Sequence, residues 1–148
     1  MSETSKKSHP KVKVIKDFRA SPQKVFDAWL DPSIISHWMF GPDVRDEEII
    51  KLETNPEKNG KFSFVVRRGD DVINHVGTYL EINRPERLIF TWGIEGESEE
   101  ESVVSIGITS TKNGCRLTLV HENVWTEYVD RTKAGWTFML EKLKTIAV

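Results

Sequence analysis

Hydrophobic and polar positions alternate along most of the chain and change to a helical period near its start and at its end. From Lys11 to Phe18, Val12 and Val14 fall on one side, with Lys16, while Lys13 and Ile15 fall on the other, which predicts a first strand. Ser21-Pro22 then predicts a helix start. The serine oxygen can accept from an orphan backbone N–H, and proline at the first helical position gives up only an N–H that has no partner there. Val25, Phe26 and Trp29 recur about one turn apart and make this short helix amphipathic. Asp31-Pro32 repeats the same logic for a second short helix through Ile34, Ile35 and Trp38, closed by Gly41-Pro42.

Beyond Glu47 the alternation returns in runs separated by turn residues. Six further strands are predicted: Ile49 to Glu53, Phe62 to Val66, Val72 to Ile82, Arg87 to Trp92, Val103 to Thr109 and Cys115 to Glu122. Asn55 to Gly60, Gly69-Asp70-Asp71, Asn83 to Glu86 and Lys112-Asn113-Gly114 supply the reversals, and connections this short make the strands antiparallel neighbours. In the last segment Trp125, Tyr128, Val129, Thr132, Trp136, Met139, Leu140, Leu143 and Ile146 or Ala147 recur at steps of three and four, predicting one long amphipathic helix. Gly135 lies inside it, and a glycine there suggests close approach of another element beside Trp136. The expected fold is α+β: an antiparallel sheet of about seven strands wrapped around a long C-terminal helix, with two short helices after the first strand. Residues 1–10 are polar after Met1 and read as a tail; residues 11–148 read as a single domain.

Composition narrows the partners. A chain of 148 residues, 38% hydrophobic and 30% charged, can bury a core without staples, and its lone Cys115 cannot close an internal bridge. With 21 basic and 23 acidic residues the net charge is −2, too weak a field to attract nucleic acid non-specifically. No run approaches the roughly 18 apolar residues of a membrane span and no apolar signal core follows Met1, so stable membrane insertion is not expected and a cytoplasmic location is.

Several segments carry a family resemblance through their order and spacing: Arg19-Ala20-Ser21-Pro22 with Val25 to Trp29, His37-Trp38 with Gly41-Pro42, and Gly77 to Ile82. Pro85 to Trp92, Leu117 to His121, and Gly135-Trp136 with Leu140 and Leu143 continue the series. From about Val14 to Leu143 the chain resembles the START-like (SRPBCC) superfamily and, within it, homologues of the activator of heat-shock-protein-90 ATPase. Two positions depart from the family pattern: Asn59-Gly60 stands for a paired glycine and Cys115 for a threonine, both compatible with the fold. The resemblance implies a helix-grip fold with an apolar cavity for a small hydrophobic molecule, without implying one chemistry, because this container serves transporters, cyclases, dehydratases and co-chaperones.

Candidate chemistry is sparse. The chain has no phosphate-cradling glycine loop, HExxH, CxxC or GxSxG motif, so no catalytic residue, metal or cofactor is assigned. His9 falls in the tail and His37 is expected to face solvent. His121 follows Leu117 and Leu119 at a period of two and therefore shares their inward face, where it is either a hydrogen-bonded structural histidine, a polar group that orients a ligand, or an acid–base catalyst. His75 shares a face with Gly77 and Tyr79, but apolar groups on both sides leave its direction open. The acidic run Glu95 to Glu101 reads as a solvated loop rather than a cation site, and Cys115 as an unreactive strand residue opposite Arg116. Aromatic side chains are numerous enough to line a cavity as well as fill a core. The expected ligand-binding set is Trp38, Phe62, Phe64, His75, Tyr79, Phe90, Trp92, Leu119, His121, Trp136, Met139 and Leu140. The leading expectation is a binding protein for an aromatic or lipid-like small molecule; the alternatives are a co-chaperone-like module with a chaperone partner, or a cyclase or dehydratase using His121 or Tyr79 in the same cavity.

Overall fold

The computed structural model describes residues 11–96 and 102–147. The expected tail and most of the acidic run, Glu97 to Glu101, lie outside these residues. Strand β1 (Val12–Phe18) leads into helices α1 (Pro22–Asp27) and α2 (Pro32–Trp38). The strands β2 (Glu48–Thr54), β3 (Lys61–Arg68), β4 (Asp71–Asn83), β5 (Arg87–Ile94), β6 (Ser102–Thr111) and β7 (Gly114–Glu122) follow, and a 3-10 turn (Thr126–Tyr128) precedes helix α3 (Val129–Ile146). Both short helices start as their sequences predict. Ser21 Oγ accepts from the Lys24 N–H at 3.2 Å, and Asp31 Oδ1 accepts from the Ser33 N–H at 3.0 Å.

All seven strands form one antiparallel sheet in the order β1-β7-β6-β5-β4-β3-β2. The strands β2 to β7 are thus a meander, and β1 joins its far edge, with Val12 opposite His121 and Phe18 opposite Cys115. Alternation assigns one face of these strands inward: Phe62, Phe64 and Val66 on β3, Leu88 and Phe90 on β5, Val104, Ile106 and Ile108 on β6, and Cys115, Leu117 and Leu119 on β7 are buried. Helix α3 covers this face through Trp136, Leu140 and Leu143. The helix hairpin α1–α2 closes the interior with Phe26, Trp29, Ile35 and Trp38. This is the helix-grip arrangement: a curved sheet holding one long helix.

Three local expectations change. Trp125 is 43% exposed instead of lying on the inward stripe, because the chain is extended at Trp125 and then tightens into the 3-10 turn, which puts the helical period out of step until Val129. Tyr128 is also exposed and lies beneath the Arg131 guanidinium, 5.4 Å from its ring centroid. A Cβ built on Gly135 would meet nothing within 4 Å, so no element packs closely against that residue: Trp136 faces the core, and its neighbour, a third of a turn away, faces open space.

A different glycine shapes the interior. Gly77 lies between His75 and Tyr79 on the inward side of β4, directly opposite Phe62. A Cβ there would fall 2.4 Å from Phe62 Cζ and 2.0 Å from the Thr91 carbonyl oxygen. The missing side chain is what lets the Phe62 ring lie across β4.

Candidate functional site

The inward faces of β3, β4 and β5 and the facing helices bring most of the expected site residues together. Phe62 stacks on Phe64 at 4.8 Å and meets Tyr79, Phe90 and Trp92 at 5.4, 5.7 and 5.9 Å between ring centroids. Trp92 continues to His75 and Trp136, at 5.6 and 5.7 Å, and His121 adjoins Trp136 at 6.1 Å. Each contact falls within the range of favourable tilted, stacked or edge-on arrangements. Leu119 and Leu140 are fully buried in the same core, and Met139 is half-buried against it. Trp92 is also only half-buried, so the ring set reaches the molecular surface there. Trp38 sits apart on α2, fully buried, edge-on to Trp29 at 4.7 Å, with its indole N–H donated to the Ala28 carbonyl at 3.1 Å.

Two residues outside the expected set belong to this wall. Phe40 packs on His75 at 4.6 Å and on Phe64 and Trp92, while Trp29 is in ring contact with Trp38, Phe90 and Trp136. Phe40 follows the last turn of α2 and belongs to no periodic run, which is why alternation does not reveal it. Glu47 is a third unforeseen residue. It lies in an Asp-Glu-Glu run that looks solvated, yet its side chain is wholly buried. Arg68 Nε at 2.6 Å, Arg45 Nη1 at 3.0 Å and the Gly41 N–H at 2.8 Å all donate to its carboxylate. A buried carboxylate needs this degree of compensation. Arg45 lies two residues away in the sequence, but Arg68 comes from β3 and the Gly41 N–H from just past the end of α2, so no local signal marks Glu47 as buried.

The histidines separate clearly. His37 is exposed and pairs with Asp43 at 2.8 Å. His75 is buried, which settles the direction left open by the sequence; its Nδ1–H donates to the Phe64 carbonyl at 3.3 Å. Burial holds its pKa down at about 4, overriding the opposing pull of that carbonyl. His121 is buried as well, and burial alone lowers its pKa to about 4. Its protonation pattern follows from its neighbours. An indole can only donate, so Nδ1 accepts from Trp136 Nε1–H at 3.0 Å and the proton sits on Nε2, which donates to Ser102 Oγ at 2.7 Å. The Ser102 hydroxyl passes the chain on to the Trp92 carbonyl at 2.9 Å. Both ring nitrogens are spent on holding α3, β7, β6 and β5 together.

Other polar groups of the interior are not spent. Tyr79 and Trp29 are almost fully buried, and neither the Tyr79 hydroxyl nor Trp29 Nε1 has a hydrogen-bond partner among the described residues. Burial pushes the Tyr79 phenol pKa up, so the group is a neutral donor. Among the described residues no three His, Cys, Asp or Glu side chains gather as a metal site, and no helix is long and apolar enough to cross a membrane.

Residues 19–147 match the family described as Activator of Hsp90 ATPase homolog 1-like protein. The chain belongs to this family. Solved structures share its fold at low identity. Protein CV1439 from Chromobacterium violaceum is 19% identical with a TM-score of 0.82, the alignment covering 93% of this chain and 96% of that one. Protein SA2116 from Staphylococcus aureus, described as of unknown function, is 20% identical with a TM-score of 0.80, over 95% and 94% of the two chains. ChR145 from Cytophaga hutchinsonii is 22% identical with a TM-score of 0.74, over 93% and 92%. No curated protein matches the chain. The family and the helix-grip fold implied by the resemblance are therefore those of this protein, and membership supports a ligand-binding or co-chaperone-like use of the fold.

Proposed function

We propose that this protein binds a small, predominantly apolar molecule, aromatic or lipid-like, between the sheet and α3. The observation that carries the reading is the continuity of the aromatic wall: ring contacts run from Phe62, Tyr79 and Phe90 to Trp92, where the set reaches the surface. Rings offer a guest large, rigid contact area at small entropic cost, and the wall is lined by few polar groups, the usual make-up of a small-molecule site. The twelve residues expected from the sequence remain the proposed lining, joined by Phe40 and Trp29. Acid–base catalysis at His121 is disfavoured, since a histidine with both nitrogens committed has no free lone pair or proton for a substrate. Docking on a chaperone ATPase, the second reading, draws on the family description.

Titration with flavonoid-like, fatty acyl and sterol-like compounds, followed by the indole and amide signals of the labelled protein, tests the binding reading. Saturable shifts centred on Trp92 and Trp136 are expected. A panel that moves none of these signals overturns it. Retrieval of a chaperone ATPase by immobilised protein, unaffected by the same compounds, favours the second reading instead.

A further inference from the structure

Beside the two histidines, the interior contains four buried ring donors, three indoles and one phenol, and they divide evenly. The indoles of Trp38 and Trp136 have acceptors, the Ala28 carbonyl and His121 Nδ1. The Trp29 indole and the Tyr79 hydroxyl have none among the described residues. Both unpartnered rings border the same side chain: Phe90 lies 6.2 Å from Trp29 and 6.3 Å from Tyr79 between centroids. A buried donor without an acceptor is unfavourable, and two of them around one phenylalanine ask for an acceptor that the described residues do not provide.

We infer that the proposed guest carries a neutral hydrogen-bond acceptor, a ketone, enone or ester carbonyl on an apolar frame, and that the Tyr79 hydroxyl receives it beside Phe90, where the Trp29 indole offers a second donor to the same frame. This rests on the binding reading above and specifies the chemistry of its ligand. Neutrality follows from the surroundings. The rings that touch Tyr79 are Phe62 and Phe90, and those that touch Trp29 are Trp38, Phe90 and Trp136. Of the guanidinium–ring contacts of the described residues, those on Phe26 and Tyr128 involve no ring of the lining, and Arg45, over Phe40, is bound with Arg68 to Glu47. A carboxylate guest would therefore be buried without a cation of its own, whereas a carbonyl needs only a neutral donor. The assignment moves the polar pole of the site away from His121. That histidine supports the wall; the phenol recognises the guest.

A matched pair of probes isolates the carbonyl: 1-tetralone and its hydrocarbon counterpart tetralin, titrated into the full chain and followed by amide and indole signals. We expect tetralone to bind at least about tenfold more tightly than tetralin and to move the Trp29 indole proton downfield. Tyr79→Phe, which removes one oxygen and keeps the ring, should lower tetralone affinity by about tenfold and leave tetralin unchanged. Equal affinities of the two probes for the unmodified protein, or a preference that survives in Tyr79→Phe with no shift at the Trp29 indole, would assign these donors to buried water and overturn the inference while leaving apolar binding intact. Binding of neither probe overturns the inference together with the binding reading.

Discussion

At the His121 end of the interior the rings of His121 and Trp136 have partners for every polar atom; around Phe90 two ring donors have none among the described residues. The first region is a directed chain of hydrogen bonds, Trp136 to His121 to Ser102 to the Trp92 carbonyl, linking one helix and three strands. The second consists of aromatic rings in similar mutual contact, but its phenol and indole donate to nothing among the described residues. Residue type does not separate the regions, since each contains tryptophan and a polar ring. What separates them is whether neighbouring secondary structure supplies the complementary atom. A closed circuit is a structural tie, and changing it should be felt in stability; open donors are available for recognition, and changing them should be felt in binding.

The largest effect should come from cutting the circuit. His121→Ala removes a buried ring and leaves both the Trp136 indole and the Ser102 hydroxyl without their partner, so a loss of about 3 kcal/mol is expected in urea unfolding. A loss below about 1 kcal/mol would show that the circuit is not a tie. Acid should attack the same region. With its pKa lowered from 6.5 to about 4 by burial, His121 stays neutral in the folded protein over a range in which the unfolded chain takes up its proton. Its contribution is therefore complete above pH 6.5 and is lost as the pH falls towards 4, a span worth on the order of 3 kcal/mol. His75 adds a parallel loss over the same window. Unfolding midpoints of the protein and of His121→Phe, measured from pH 7 to pH 4, should converge as the pH drops, and parallel curves would contradict the assignment.

Smaller effects sharpen the contrast. Gly135→Ala, on α3 but facing open space, should stabilise the helix by about 0.5–1 kcal/mol and raise the melting temperature without moving the indole signals of either region. Tyr79→Phe should change stability by no more than about 0.5 kcal/mol, because the hydroxyl it removes has no partner among the described residues to lose. A large destabilisation in that variant would place Tyr79 with His121 among the structural ties and dissolve the distinction between the two regions.

The fold was legible because its signals are local. Period-two runs in β3, β6 and β7, the Ser21-Pro22 and Asp31-Pro32 helix starts and the turn residues each follow from a few adjacent positions, and the register simply continues them. The inward direction of His121 was legible for the same reason. Its role was not, since the partners that fix it, Ser102 and Trp136, come from a different strand and from α3. Glu47 shows the same limit from the other side: charge predicts exposure, and only the folded arrangement brings Arg45, Arg68 and the Gly41 N–H around it. Trp125 escaped prediction because the chain is extended there and only then tightens into a 3-10 turn, so the three- and four-residue spacing of its apolar residues does not describe a helix until Val129.

The sheet order also bears on how the chain is made. Strands β2 to β7 can pair one after another as they leave the ribosome, each beside the strand just synthesised. Strand β1 emerges first but pairs only with β7, so its partner is the last strand to be translated, and α3, which packs on β1, comes later still. Val12, Val14 and Phe18 must therefore wait, with their apolar side chains unprotected, until nearly the whole domain exists. Nascent-chain stalling before Gly114 should leave this segment accessible to protease, and its protection should mark completion of the fold.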